Sequence, residues 1–189
     1  MAKQDFWLNP NFEPKRQFRF LVQLSLGPDG GQDVTFLAKS VDRPSYTISD
    51  NPHQFFNHTF YYPGRVTWNT INLTLVDPVS PNGAELLYQY LETSGVQKPT
   101  SIDAATGTTI TKSSATAAMG RMVIQEIATP TGGGSESQIV GQWELLNPFF
   151  TDVNFGSHDY GSEEMVDIAI TVRYDWAEYV GGVVGPVVP

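Results

Sequence analysis

The sequence predicts a mainly β domain of the α+β kind, several antiparallel strands with one short helix beside them, and not alternating βαβ units. Two observations carry this. In "EEMVDIAITVRYDWAEY" every even position from Val166 to Trp176 is apolar and every odd one except Ala169 is polar or charged, the period of a strand with one buried face. Only one segment of the chain, by contrast, joins a helical apolar stripe to recognisable caps. With 189 residues, 40% of them hydrophobic, the chain is long enough for one sizeable core and short for two. It divides into an N-terminal arm (1–15), a β domain (16–179) and a C-terminal tail (180–189).

Residues 1–14 scatter Phe6, Trp7, Leu8 and Phe12 among Asn and Pro without periodicity; such an arm packs either on its own domain or on a neighbouring subunit. Residues 16–27 set Phe18, Phe20, Val22, Leu24 and Leu26 against Gln17, Arg19, Gln23 and Ser25, a half-buried strand. Pro28-Asp29-Gly30-Gly31 then turns the chain toward a hairpin partner at 34–41. Two prolines make 40–52 an extended crossing segment, and 53–62 is aromatic and β-prone. Pro63-Gly64 signals a turn into a long strand at 65–77, with Ile71, Leu73 and Leu75 on one side and Thr70, Asn72 and Thr74 on the other. The helix follows: Asn82 caps it, Glu85 completes a capping box, Gly95 closes it, and Leu86, Leu87, Tyr90 and Leu91 form its buried stripe. Residues 99–118, with "TGTTITKSSATAA", lack any period and read as a long loop of the kind that binds or moves. Strands at 121–128, 138–146, 149–155 and 165–176 complete the domain, the first two joined by the flexible "TPTGGGSES". The tail "VGGVVGPVVP" is apolar, yet too rich in Gly and Pro to be helical; free in water it would be a liability.

Composition narrows function by exclusion. Eleven Lys+Arg against twenty Asp+Glu give a formal charge of −9, which argues against a protein that grips a phosphate backbone. Cysteine is absent, so neither disulfides nor thiolate metal sites form. No apolar run approaches the roughly 18 residues of a membrane span, and the N-terminus lacks a signal-type core, so the chain reads as soluble and made where it is used. His53, His58 and His158 have no ligand spacing. Ser157-His158-Asp159 are adjacent in an apparent turn, whereas a nucleophile, its base and the orienting acid converge from separate elements. Glu163 and Glu164 point apart as strand neighbours. "TPTGGGSES" lacks the Lys-Ser/Thr of a phosphate loop and precedes a strand. Asn57 and Asn72 head glycosylation-type triplets inside apparent strands, where a glycan has no place. No catalytic group, cofactor or metal is expected, and the chain does not read as an enzyme.

Three stretches together resemble the tail tube proteins of contractile-tailed bacteriophages: "YYPGRVTWNTINLTLVDPVSPNGAELLYQYL", "WELLNPFFTDVNFGSHDYGSEEM" and the closing "VDIAITVRYDWAEY". Their order, strand, helix, Ser/Thr-rich loop, Asn-Pro strand and long alternating strand, spans most of 40–179 and carries the match. The resemblance implies an antiparallel β-sandwich or incomplete barrel with one flanking helix. It further implies six copies in a ring, rings stacked into a hollow tube that conducts DNA at ejection, and sheath, baseplate and tail terminator proteins as partners. The location implied is the virion tail, after assembly in the host cytoplasm. The tubes of related injection systems and tube-initiating baseplate proteins share that architecture, so tube body and tube end both stay open. The arm and the tail have no counterpart in the family pattern. A reading from a different class is a monomeric carbohydrate-binding sandwich presenting Tyr61, Tyr62, Trp68 and Trp143 as a platform.

Physical reasoning adds to the resemblance. One chain of this length cannot surround a duplex, but six copies of roughly four strands each would close a barrel of about 24 and remove exposed strand edges. Six copies at −9 each carry −54 formal charges per ring, a wall from which phosphate is repelled over the Debye length of about 8 Å. The expected lumen-facing residues are Thr70, Asn72, Thr74, Asp167, Thr171, Arg173 and Asp175, with the helix outside and the 99–118 loop reaching an adjacent ring. Phe6, Trp7, Phe12, Thr108, Ile110, Val183 and Val184 are the expected inter-subunit contacts.

Overall fold

The computed structural model describes residues 14–26, 38–80, 82–96, 109–128 and 138–186, with side chains described as far as residue 181. Ten strands run in the order β1 (Phe20–Ser25), β2 (Ala38–Val41), β3 (Tyr46–Phe55), β4 (His58–Trp68), β5 (Ile71–Val76), then β6 (Arg121–Ala128), β7 (Gln138–Leu146), β8 (Phe149–Asn154), β9 (Asp167–Arg173) and β10 (Trp176–Pro186). Helices α1 (Gly83–Thr93) and α2 (Lys112–Met119) lie between β5 and β6. Two four-stranded sheets, β1-β6-β7-β10 and β2-β5-β9-β8, and the separate hairpin β3-β4 account for the strands. Every pairing is antiparallel. This is the mainly β, sandwich-like fold expected, with two helices in place of the one expected, and the described strands close no barrel.

The alternation read from the sequence is what closes the core. Val22, Leu24, Met122, Ile124 and Leu145 from the first sheet meet Ile71, Leu73, Leu75, Ile168, Ile170 and Val172 from the second in one buried cluster. Each such side chain contributes about 1.5–3 kcal/mol relative to exposure. In α1, Asn82 Oδ1 accepts the Glu85 N–H at 3.1 Å as a cap, and Gly95 leaves the helix at φ 111°. Its covered line is Gly83, Leu87, Tyr90 and Ser94. Leu86 is half-buried and Leu91 is exposed, so the stripe is narrower than expected because the helix touches the sandwich along a single ridge. Tyr90 sews three elements together: its ring lies 4.5 Å from that of Phe150, its hydroxyl accepts the Phe150 N–H at 3.3 Å and donates to the Ala115 carbonyl at 3.5 Å.

Several expectations need correction. Part of the 99–118 loop is a helix: Thr111 Oγ1 accepts from Ser114 N at 3.1 Å while Ser114 Oγ accepts from Thr111 N at 3.0 Å, a reciprocal cap. The small residues that hid the helical period, Ala115 and Ala118, are buried where α2 packs closely. β2 pairs with β5, and β1 lies beside β6, so residues 16–27 and 34–41 do not form a hairpin. The crossing segment 40–52 becomes a strand at Tyr46. Pro63-Gly64 is no turn; the chain reverses at Phe56-Asn57, with Phe56 at φ 52°. At Pro63 the β3-β4 register slips, Ile48 facing Val66 and Asp50 facing Pro63, so Ser49 opposes two residues in a β-bulge. A Cβ on Gly64 would stand 2.9 Å from the Ser49 carbonyl oxygen, which explains the glycine. The run 65–77 breaks at Asn69-Thr70, and 165–176 stops at Arg173, Trp176 opening β10. β10 continues through residues 180–186, so the start of the apolar tail is a strand on β7. The turn at 28–31 and the "TPTGGGSES" connection lie outside the described residues.

Candidate functional site

The outer face of the second sheet follows from the same alternation that buries Ile168, Ile170 and Val172. Across the ladder Asn72 faces Thr171, Thr74 faces Ala169 and Ser40, and Asp152 faces Thr171 from the far side. These side chains are short and mostly uncharged. Asn72 Nδ2 donates to Asp42 Oδ2 at 2.9 Å, and Thr171 Oγ1 lies 3.4 Å from Asn72 Oδ1. Lys39 pairs with Asp167 at the edge. Of the expected lumen-facing set, Asn72, Thr74, Asp167, Thr171 and Arg173 share this face, while Thr70 and Asp175 lie off the ladder at the strand breaks. Asp175 is held by Lys112 Nζ at 2.6 Å and by Asn147 Nδ2 at 2.7 Å. The bond from Lys112, followed by that from Asn147, lowers its pKa.

A second feature is the hairpin. All of β3 and most of β4 are exposed, with Ile48, Phe55, Phe60, Tyr61 and Tyr62 facing water. At the tip Phe55 and Phe56 meet edge-on at 4.6 Å. At the base Trp68 packs 5.3 Å from Tyr46 and 6.0 Å from Tyr174, which roots the hairpin on the end of β9. A groove of about 580 Å³ opens at this root, walled by Val66, Trp68, Ile110, Phe149 and Arg173. Ile110 and Arg173, expected on different surfaces, thus stand together. Phe6, Trp7, Phe12 and Thr108 lie outside the described residues, and of Val183 and Val184 only the strand backbone is described.

The third feature is one that sequence reasoning missed. Glu126, at the core-side end of β6, is buried and bonded by Lys15 and Arg43, while Tyr179 Oη lies 3.4 Å from it and accepts from Lys15 at 2.8 Å. The knot ties the segment before β1 and the β2-β3 connection to β10. Gly141 makes the space: a Cβ there would fall 2.4 Å from Tyr179 Oη. Burial alone would raise the Glu126 pKa, but the Lys15 bond and the Arg43 charge override it and lower it. Desolvation likewise opposes, and the bonds to Glu126 and Tyr179 outweigh, in raising that of Lys15. Nothing in the sequence marks these partners, since they are 111 and 83 residues from Glu126.

Of the motifs set aside in the sequence, Glu163 and Glu164 lie in the exposed loop before β9 and not on a strand, and Asn57 lies in the β3-β4 turn. Ser157, His158 and Asp159 lie in the exposed β8-β9 loop, where Asp159 Oδ1 accepts from Gly161 N at 2.9 Å. Tyr61 and Tyr62 are exposed on the hairpin, but Trp68 and Trp143 are half-buried against Tyr174 and Tyr179, so the four form no common platform. Among the described residues no group of His, Cys, Asp or Glu is arranged to hold a metal, and no helix is long and apolar enough to cross a membrane.

No family model and no curated protein matches the chain. Solved structures match it in fold. A chain of the anti-feeding prophage baseplate, a 6-fold symmetrised cryo-EM structure, aligns at a TM-score of 0.62 and 16% identity over 90% of this chain and 97% of its own. A chain of the sheath/tube terminator of an extracellular contractile injection system in the extended state gives 0.63 at 16% identity, covering 90% and 99%. One from the sheath-tube complex of such a system gives 0.58 at 17% identity, covering 96% and 99%. The protein therefore has the fold found in components of contractile injection systems, in line with the resemblance to tail tube proteins read from its residues.

Proposed function

We propose that this chain is a structural, non-enzymatic subunit of a contractile tail: the tail tube protein, six copies of which form a ring and whose stacked rings make a tube that conducts DNA at ejection. The observation that carries the reading is the second sheet, which buries one face in the core, turns a short polar face outward, and among the described strands leaves β2 and β8 each paired on one side only. Six such four-stranded sheets joined edge to edge give about 24 strands, wide enough for an aqueous bore. A wall of Asn72, Thr74, Ala169 and Thr171, in a chain of net charge −9, offers phosphate few cations, Arg173 and the Lys39 already paired with Asp167 among them. The likeness to chains of a sheath-tube complex and of a 6-fold symmetrised baseplate supports both the partners, sheath, baseplate and terminator, and the ring size. On this reading the protein is assembled in the host cytoplasm and resides in the virion tail. The likeness to baseplate and terminator chains favours one second reading, a tube-end protein of the same fold.

Electron microscopy of the purified protein tests the proposal. Stacked rings or tubes with a central hole are expected; a compact monomer at every concentration overturns it, and single rings that never stack support the tube-end reading.

A further inference from the structure

We infer that Asn82 is a site of spontaneous covalent modification, deamidation through a ring closed with its neighbour Gly83, and that Asp77 holds the reaction off while the first turn of α1 is folded. The inference is independent of the tube reading.

Asn82-Gly83 is the chain's only Asn-Gly pair. Glycine leaves the backbone nitrogen after the asparagine unobstructed and its peptide free to rotate, so in an open chain that nitrogen attacks the side-chain amide. The Gly83 nitrogen gives up its proton and bonds to Asn82 Cγ, the Cγ–Nδ2 bond breaks, and Nδ2 leaves with the proton as ammonia. Water from solvent then opens the succinimide ring at one of its two carbonyls. One opening leaves aspartate at position 82; the other leaves isoaspartate, with the main chain rerouted through the side chain.

Packing explains why the pair is there. Gly83 is buried, and a Cβ on it would stand 3.0 Å from Asp77 Oδ1 and 3.6 Å from Ile168 Cδ1, so α1 seats against these residues only with glycine at this position. Asn82 supplies the oxygen that caps the helix, accepting the Glu85 N–H at 3.1 Å. The two needs together create the reactive pair.

The same contacts restrain it. Gly83 N–H donates to Asp77 Oδ1 at 2.9 Å, a charge-assisted bond to one of the orphan donors of the helix. Asp77 is itself fixed to the strand layer, its N–H donating to the Val166 carbonyl at 2.9 Å. Ring closure needs Asn82 Cβ and the Gly83 nitrogen on the same side of the Cα–C bond, whereas at ψ 110° they are turned well apart. Reacting atoms must approach to about 3–3.5 Å before a bond forms, so attack requires the turn to rotate and to release both hydrogen bonds. Asn82 is exposed, and water reaches the ring once it forms. Each opening of the turn that reacts is then recorded irreversibly: an aspartate at 82 still caps the helix, while an isoaspartate displaces the cap.

Mass spectrometry of the peptide holding residue 82, from full-length protein kept in mildly alkaline buffer with and without urea, follows the mass gained as amide becomes acid. Conversion is expected to be about tenfold or more slower in the folded protein than in urea, the mark of a reaction that needs local opening. Asp77→Ala should react several-fold faster than wild type while still folded by circular dichroism, and Asp77→Asn, which keeps an acceptor oxygen, should stay slow. No conversion in urea overturns the site, equal rates with and without urea overturn the restraint, and a folded Asp77→Ala protein that reacts no faster overturns the role of Asp77. Should that variant fail to fold, the wild type decides: its conversion in rising urea should track hydrogen exchange of the Gly83 amide, which reports release of the bond to Asp77, and conversion that rises without that exchange overturns the assignment.

Discussion

At the scale of single residues, the Glu126 knot shows how one carboxylate can hold distant parts of the chain together. Its oxygens are buried against Lys15, Arg43 and Tyr179, while the two cations keep roughly half their surface in water. Glu126→Gln leaves a neutral amide facing both cations. A charged hydrogen bond to a buried group is worth about 1.5–3 kcal/mol, and exposure of the cations reduces this toward about 1–2 kcal/mol. The pH dependence follows from the sign of the shift. The Glu126 pKa is lowered in the folded protein, so its stabilisation is present above the unfolded glutamate value and is lost as pH falls through the lowered folded one. Urea midpoints of the wild-type and Glu126→Gln proteins should differ at pH 7 and converge in acid; a gap that persists at low pH would show that packing, and not charge, is responsible. Gly141→Ala should weaken the same knot from the other side by displacing Tyr179, since the added Cβ would fall 2.4 Å from the phenol oxygen.

At the scale of elements, α2 and the hairpin are the parts whose sequence signals were ambiguous. The Ser/Thr run before Ala115 reads as loop composition until Thr111 and Ser114 are seen to cap one another. Thr111→Ala should therefore cost about 0.5–2 kcal/mol, measured as a shift in the urea midpoint. Pro63-Gly64 is compatible with either a turn or a bulge, and only the pairing of Ile48 with Val66 and Asp50 with Pro63 distinguishes them. By contrast Ile71, Leu73, Leu75 and the even positions of β9 declared their buried face through period two, and the structure places them in the core. Alternation reports one strand at a time, so it revealed the polar face of the second sheet but not that β2, distant from β5 along the chain, would complete it. Phe56→Gly relieves the positive φ and should leave stability unchanged or raise it by up to about 1 kcal/mol; a fall in the urea midpoint would mean that the ring of Phe56 contributes to folding.

At the scale of the whole molecule, the proposed tube raises the question of which of the two four-stranded sheets would face its bore. The first has long side chains on its outer surface, including Arg121 paired with Glu144 at 2.9 Å. The second presents the short side chains of Asn72, Thr74, Ala169 and Thr171 along its middle, with the Lys39–Asp167 pair and Arg173 toward the two ends of β9. Edge-to-edge closure through β2 and β8 would turn that wall inward. Ala169 sits exposed near its middle, opposite Thr74 and Asn154, and tolerates a new side chain without disturbing a hydrogen bond of its own. In the cysteine-free chain, Ala169→Cys offers a single thiol whose surroundings can be read by reagent size. In dissociated protein both a small maleimide and one coupled to a bulky carrier protein should label it. In assembled tubes the small reagent should still reach it along the bore while the bulky one is excluded, whereas Tyr160→Cys on the β8-β9 loop should accept both. Equal labelling of Ala169→Cys by the bulky reagent in tubes would place this face on the outside and transfer the lining to the first sheet.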